Sequence, residues 1–299
     1  MTERIVLAVD GGSASDSALE WVLDRARSTD VHLEIATVFD IDWIPYGGAD
    51  PYMLEYEQMV LEYGRRVATS GVAVQWSTTV HHDRTLPGLL ALSRHADLLV
   101  VGSHKPSRAR GFVNGTLPLA IAARTHAALV VVPVGWTPSD GPIVVGIDDE
   151  TGQSALAFAA TEAEHAHVDL VAVRAWEAPV LVTGTWITLE SAADDFRRSH
   201  QSVIDGMLVP LRDEHPRLGV REVLEHGRPS LIVAEQAKGA RLTVVGTHHH
   251  RALAGFLLGS VGHDLLMNLP SPVAIVPSPT RAEAHADAEM ESELEATPS

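Results

Sequence analysis

The chain has 299 residues, with 22 Lys and Arg against 39 Asp and Glu, a net charge of −17. A surface this acidic argues against broad contact with nucleic-acid phosphate or anionic lipid. The lack of cysteine excludes disulfides, thiol catalysis and zinc–thiolate sites.

The length favours two domains over one, and the hydrophobic fraction of 45% suits a globular chain with a good core. The apolar run Ile5 to Val9, ended by Asp10, is too short for a membrane span, and no small-residue cleavage site follows it. The expected location is the cytoplasm. Along the first half, β-branched runs predict strands near 4–10, 31–38, 72–79, 97–102 and 128–133. Helices are predicted near 15–28, 52–69, 86–95 and 115–126. A turn-rich linker follows at 135–141, with Gly135, Pro138, Ser139, Asp140 and Gly141. In the second half, strands fall near 142–148, 167–174, 219–225, 241–246 and 272–277. Helices fall near 152–165, 189–214, 229–238 and 259–269. The strands lack polar alternation, as expected where both sheet faces are covered. Alternating β and α elements at this spacing imply a parallel sheet with right-handed crossovers. The segments 40–51 and 177–188 fit neither period and read as loops able to fold over the carboxyl edge of the sheet. The last stretch, 279–299, holds six acids (Glu283, Asp287, Glu289, Glu291, Glu293 and Glu295) against the single base Arg281. It reads as a disordered acidic tail.

The two halves repeat each other. Ile5-Val6-Leu7-Ala8-Val9-Asp10 recurs as Ile143-Val144-Val145-Gly146-Ile147-Asp148. Leu99 to Gly102, Gly115-Thr116 and Val130 to Pro133 each recur 144 positions later, as Thr243 to Gly246, Gly259-Ser260 and Ala274 to Pro277. Domains are therefore expected at 1–134 and 142–278.

Ligands of open parallel sheets bind outside the carboxyl ends of the strands, where the strand order reverses. Three features converge there in each half. An acid, Asp10 or Asp148, ends strand one and can accept a hydrogen bond from an exocyclic amine or a ribose hydroxyl. Asp after a strand is also a common turn starter or helix cap. Strand four ends in Gly102 or Gly246, and thirteen residues later Gly115-Thr116 or Gly259-Ser260 opens a helix. Such a helix start offers free N–H groups to phosphate, but Gly followed by Ser or Thr is equally a good helix entry. The intervening loops are basic in an acidic protein: His104, Lys105, Arg108 and Arg110, then His248, His249, His250 and Arg251. They read either as solvated loop charges or as partners for phosphate.

With this set, both halves resemble the universal stress protein domain, whose signature is Gly-x2-Gly-x9-Gly-(Ser/Thr) after strand four with an Asp ending strand one. The resemblance implies an α/β fold: two tandem copies of a five-stranded parallel-sheet domain, Rossmann-like and of the adenine nucleotide alpha hydrolase-like class. It implies a regulatory protein that binds ATP, with or without magnesium, and acts through unknown protein partners in stress. By the resemblance, the adenine-side positions map to Asp10 and Asp148, and the strand-two contacts to Val38 and Ala175. The phosphate-side positions map to Gly102, Lys105, Gly115 and Thr116, and to Gly246, His249, Gly259 and Ser260. Asp10-Gly11-Gly12-Ser13 looks like the family's first loop. The resemblance also implies an intramolecular pseudo-dimer, with Leu129–Pro133 and Val273–Pro277 paired across a pseudo-twofold. Two such chains could still form a homodimer.

The middle motif glycine is replaced, by Lys105 in the first half and His249 in the second. If that position needs φ > 0, a side chain there costs binding; if the loop adjusts, a cation can replace lost backbone contacts. Asp149 and Glu150 add negative charge beside the second site, which favours the first half for ATP. The replaced glycines also motivate a different reading, a member of the same fold that binds no nucleotide and works by protein contacts. An enzyme of slow ATP hydrolysis or nucleotidyl transfer is least supported, since no general base stands out and no catalytic residue is assigned. Walker A, Gly-x-Ser-x-Gly and Gly-x-Gly-x-x-Gly patterns do not occur. Neither His81-His82 nor His248-His249-His250 has metal-ligand spacing, so no metal site is expected. If the triple histidine touches phosphate, ATP affinity of the second half strengthens as pH falls through about 6.5. A pH-independent affinity, measured by titration calorimetry with the first half blocked, would remove that role.

Overall fold

The computed structural model describes residues 2–40, 42, 50–103, 116–148, 152–177, 189–247 and 258–278. The segments 43–49 and 178–188, the basic loops with Lys105, Gly115 and His249, and the acidic tail lie outside the described residues. In the first half the order is β1 (Glu3–Ala8), α1 (Ser13–Arg25), β2 (Val31–Asp40), α2 (Asp50–Thr69) and β3 (Gln75–Asp83). It continues with α3 (Thr85–Ser93), β4 (Leu98–Ser103), α4 (Thr116–Ala122) and β5 (Ala128–Pro133). The second half repeats this with β6 (Ile143–Gly146), α5 (Gly152–Ala166), β7 (Leu170–Trp176), α6 (Leu189–Glu214) and β8 (Val220–His226). It ends with α7 (Pro229–Gln236), β9 (Leu242–Gly246), α8 (Ser260–Asn268) and β10 (Val273–Val276).

Among the described residues the strands form one ten-stranded sheet in the order β3-β2-β1-β4-β5-β10-β9-β6-β7-β8. Within each half all neighbours are parallel. At the centre β5 and β10 pair antiparallel, with Val273 opposite Val131 and Ile275 opposite Leu129. The chain therefore turns back between β1 and β4, and again between β6 and β9. Those are the two points where a crevice opens at the carboxyl edge.

Burial follows from the covering helices. The central strands β5 and β10 are buried at every residue, while the outer strands β3 and β8 are half-exposed. One core cluster lies between the sheet and α1, α2, α5 and α6, through residues such as Leu19, Val60, Ala159 and Ile204. The other lies under α3, α4, α7 and α8, through Leu89, Ile121, Val233 and Leu265. Both clusters run through both halves, so the repeat is folded as one body.

Charged groups join the halves on the α1 and α5 side. Arg25 at the end of α1 is buried and bonds Glu3 at 2.9 Å and Glu162 of α5. Asp24 pairs with Arg241, whose guanidinium also donates to the carbonyl of Ser139 at 2.7 Å. Residues 134–142 are held as well. The Gly135 amide donates to Ser17 Oγ at 2.9 Å, and a side chain at Gly141 would overlap the Gly239 carbonyl.

The Glu162 carboxyl is buried, and its Oε1 has no hydrogen-bond partner among the described residues. Burial pushes its pKa up, and the neighbouring Arg25 only partly offsets this. A carboxyl raised in the folded state stabilises the protein below its unfolded pKa and loses that contribution as pH rises through the folded pKa. The stability difference between the native chain and Glu162→Gln is thus expected to shift in favour of the native chain as pH falls from neutral towards the carboxylate range. Equal shifts in both proteins, read from urea midpoints, would overturn this. Arg25→Met leaves two carboxylates facing each other and should cost about 3–5 kcal/mol in urea unfolding, with the double variant R25M/E162L losing clearly less.

Candidate functional site

The loop after β1 carries Asp10 two residues past the strand. Its Oδ1 accepts from the Gly12 amide at 2.9 Å and from the Ser15 hydroxyl at 2.7 Å, while Ser15 Oγ accepts from the Asp10 amide at 3.0 Å. This closes a side-chain turn that starts α1, the structural use of Asp expected from its position. Gly11 adopts φ +78° in the same turn, a region open to glycine at little cost.

Gly102, near the end of β4, has a structural reason of its own. A methyl group there would overlap the Ala14 carbonyl in the first turn of α1. The glycine lets helix and strand touch, so its value does not depend on a ligand's approach.

Asp10, Val38 and Gly102 line one pocket of about 440 Å³ at the turning point between β1 and β4. Lys105 and Gly115 lie outside the described residues, and Thr116 is the first residue of α4. Residues missed by the sequence reading complete the lining: Thr37 and Asp40 of β2, Glu55, Tyr56 and Met59 of α2, and Thr85 of α3. Asp40 accepts from the Thr85 hydroxyl at 2.7 Å, the Thr85 amide at 3.1 Å and the Asp42 amide at 3.1 Å. The Thr85 hydroxyl, then the Asp42 amide, hold its carboxyl below the usual range. Further out, Asp16 bonds Tyr63 at 3.0 Å and Arg66. Burial pushes the Asp16 carboxyl up, but the Arg66 guanidinium and the Tyr63 hydroxyl bring it below its ordinary value.

In the second half, Asp148, Ala175, Gly246, Gly259 and Ser260 line a pocket of about 180 Å³ between β6 and β9. His249 lies outside the described residues. Helix α8 begins at this pocket with Gly259 as N-cap, a residue with no side chain to cap the first amides. Register relates the halves: Ala8 stands beside Ala36 and Gly146 beside Val173, which makes Val38 and Ala175 equivalent. By the same register Thr37 corresponds to Arg174. Arg174 is buried, and its Nε donates to His200 Nδ1 at 3.1 Å. It occupies the α6 side, whereas Thr37 leaves the α2 side open.

Among the described residues no group of three or more His, Asp or Glu side chains is placed to hold a metal ion, and no helix is long and apolar enough to cross a membrane.

Comparison with known proteins bears on both halves. The profile of the universal stress protein family matches residues 1–133 and again 141–277. A universal stress protein of Mycobacterium tuberculosis is 27% identical over 92% of this chain and 95% of its own length. A second from that organism is 24% identical over 91% and 95%. The crystal structure of a universal stress protein from Archaeoglobus fulgidus superposes with a TM-score of 0.66 at 15% identity, covering 92% of this chain and 98% of that one. A putative universal stress protein from Pseudomonas aeruginosa gives 0.62 at 14%, covering 96% and 97%. With two matches that together span nearly the whole described sheet, the chain belongs to the universal stress protein family and carries two of its domains in tandem.

Proposed function

We propose that this protein is an ATP-binding regulatory member of its family, one that senses or buffers adenine nucleotide and acts through protein partners in stress. The observation that supports this most is the convergence of Asp148, Ala175, Gly246, Gly259 and Ser260 on one pocket at the start of α8. The repeat spacing singles out Asp148, Gly246, Gly259 and Ser260, the family resemblance adds Ala175, and these line one pocket where a parallel sheet offers its crevice.

The chemistry suits the ligand. Asp148 and Asp10 offer carboxylate oxygens to an exocyclic amine or ribose hydroxyls. Ala175 and Val38 supply apolar contact for a purine ring. Gly259 and Ser260 present backbone amides and a hydroxyl to phosphate at the positive end of α8. Magnesium would travel on the phosphates, which needs few protein carboxylates. Lys105 and His249 stand at the middle motif position of the two loops, in a sequence that also holds Arg108, Arg110 and Arg251.

The acids Asp149 and Glu150 favour the first half for ATP. The first pocket, however, includes Asp40 and Glu55 besides Asp10, so charge alone does not separate the two halves. A second reading, a scaffold without nucleotide, draws on the replaced motif glycines. It fails if the purified protein carries adenine nucleotide.

ATP at 100 times its Kd is expected to stabilise the chain by about 2.7 kcal/mol. Ala175→Phe, which fills the second pocket, and Val38→Phe, which fills the first, then show by thermal-shift titration which half contributes. No stabilisation of the native chain at millimolar ATP would overturn the nucleotide reading.

A further inference from the structure

The first pocket adjoins a smaller hollow of about 210 Å³ lined by Phe39, Asp40, Tyr52 and Tyr56. The two cavities meet at Asp40 and Tyr56. Tyr52 and Tyr56 are four residues apart on α2 and so lie on one helix face. Phe39 and Tyr56 meet edge to face, with centroids 5.2 Å apart and planes at 80°. Two rings at a right angle make a corner, and Tyr52 adds a third aromatic wall.

Asp40 lies in the same wall. Its carboxylate already accepts three hydrogen bonds, from the Thr85 hydroxyl, the Thr85 amide and the Asp42 amide. Most of its lone-pair sites are taken, so it offers fixed negative charge rather than a free acceptor. Glu55, on α2 between the two tyrosines, adds a second carboxylate to the adjoining pocket. Thr37 lines that pocket too and is only 3% exposed. Aromatic faces with a saturated anion attract a cation that has no N–H to donate. In the second half the corresponding corner is filled, because Phe196 and His200 stack on Trp176 at 6.3 Å and 5.3 Å.

We propose that the hollow formed by Phe39, Tyr52 and Tyr56, with Asp40 and Glu55 as counter-charges, binds the quaternary ammonium group of a small organic cation. The adjoining pocket, with Thr37, holds the remainder of that molecule, which carries a hydroxyl or similar polar group. This site does not depend on nucleotide binding.

The test uses the full chain and choline as probe, in calorimetric titrations without nucleotide. Its neutral isostere 3,3-dimethylbutan-1-ol has the same shape without the charge. Choline is expected to saturate one site, and the isostere to bind at least about tenfold more weakly. Tyr56→Phe keeps the ring and should keep the affinity. Tyr56→Ala and Asp40→Asn should each weaken choline by roughly tenfold, with far-ultraviolet circular dichroism unchanged. Equal binding of the isostere, tighter binding of spermidine than of choline, or no saturable choline binding at millimolar concentration would each overturn the proposal. If Asp40→Asn unfolds because Thr85 loses its partner, the ratio of choline to isostere affinity in the native chain decides the question alone.

Discussion

The antiparallel ladder between β5 and β10 is the contact on which the rest of the molecule depends. Both strands are buried at every residue. Neither could stand at the edge of a separate domain without exposing an apolar row and unpaired backbone groups to water. Pairing them removes two edges at once and leaves the half-exposed β3 and β8 as the outer strands. The ladder also fixes direction. Each half is parallel within itself, and the two halves run opposite ways, so their carboxyl edges lie at opposite ends of the sheet. The two pockets therefore cannot share one ligand. The halves touch through the sheet, through the ion pairs of Arg25 and Arg241, and through the core under α4 and α8, which are the routes for any coupling between them.

Duplication gave the halves one fold, but single residues have separated their pockets. Thr37 and Arg174 hold the same place in the strand register. The small residue leaves room towards α2. The arginine fills the equivalent room and takes His200 with it. Similarly, Phe39 meets Tyr56 edge to face and His82 at a tilt, whereas Trp176 is stacked on both Phe196 and His200. The second pocket is left smaller and centred on the start of α8. The first is larger and ringed by carboxylates. These differences sit at the carboxyl ends of β2 and β7, beyond the apolar stretch that packs under the helices.

Much of this was legible in the sequence, for physical reasons that differ by element. Runs such as Leu98 to Val101 place strands within a residue or two, because a strand covered on both faces admits only apolar residues. The repeat offset gives the shared topology, and the expected pairing of the last strands is the ladder observed. Helix starts fall within two residues of expectation, whereas ends were less sharp: α4 ends at Ala122, earlier than its pattern suggests. Asp40, Glu55 and Tyr56 could not be found by spacing. Asp40 reaches the pocket because β2 runs on to end there, and Glu55 and Tyr56 only through the angle at which α2 packs on the sheet. The Arg25–Glu162 pair spans 137 positions and escaped notice for the same reason. Gly102 was found, but its close contact proved to be the backbone of Ala14 rather than space for a ligand alone.

The net charge has a spatial meaning that the total conceals. Several cations of the folded part are already engaged: Arg25 with Glu3 and Glu162, Arg241 with Asp24, Arg66 with Asp16. They neutralise acids where the halves and helices meet and contribute little field elsewhere. The first pocket thus keeps the charge of Asp10, Asp40 and Glu55, of which Asp40 is held ionised by its hydrogen bonds. Such a field draws cations and opposes phosphate. A nucleotide there would have to place its base and ribose among the carboxylates and its phosphates away from them. An organic ammonium needs no such arrangement, because its single charge and the local field already agree.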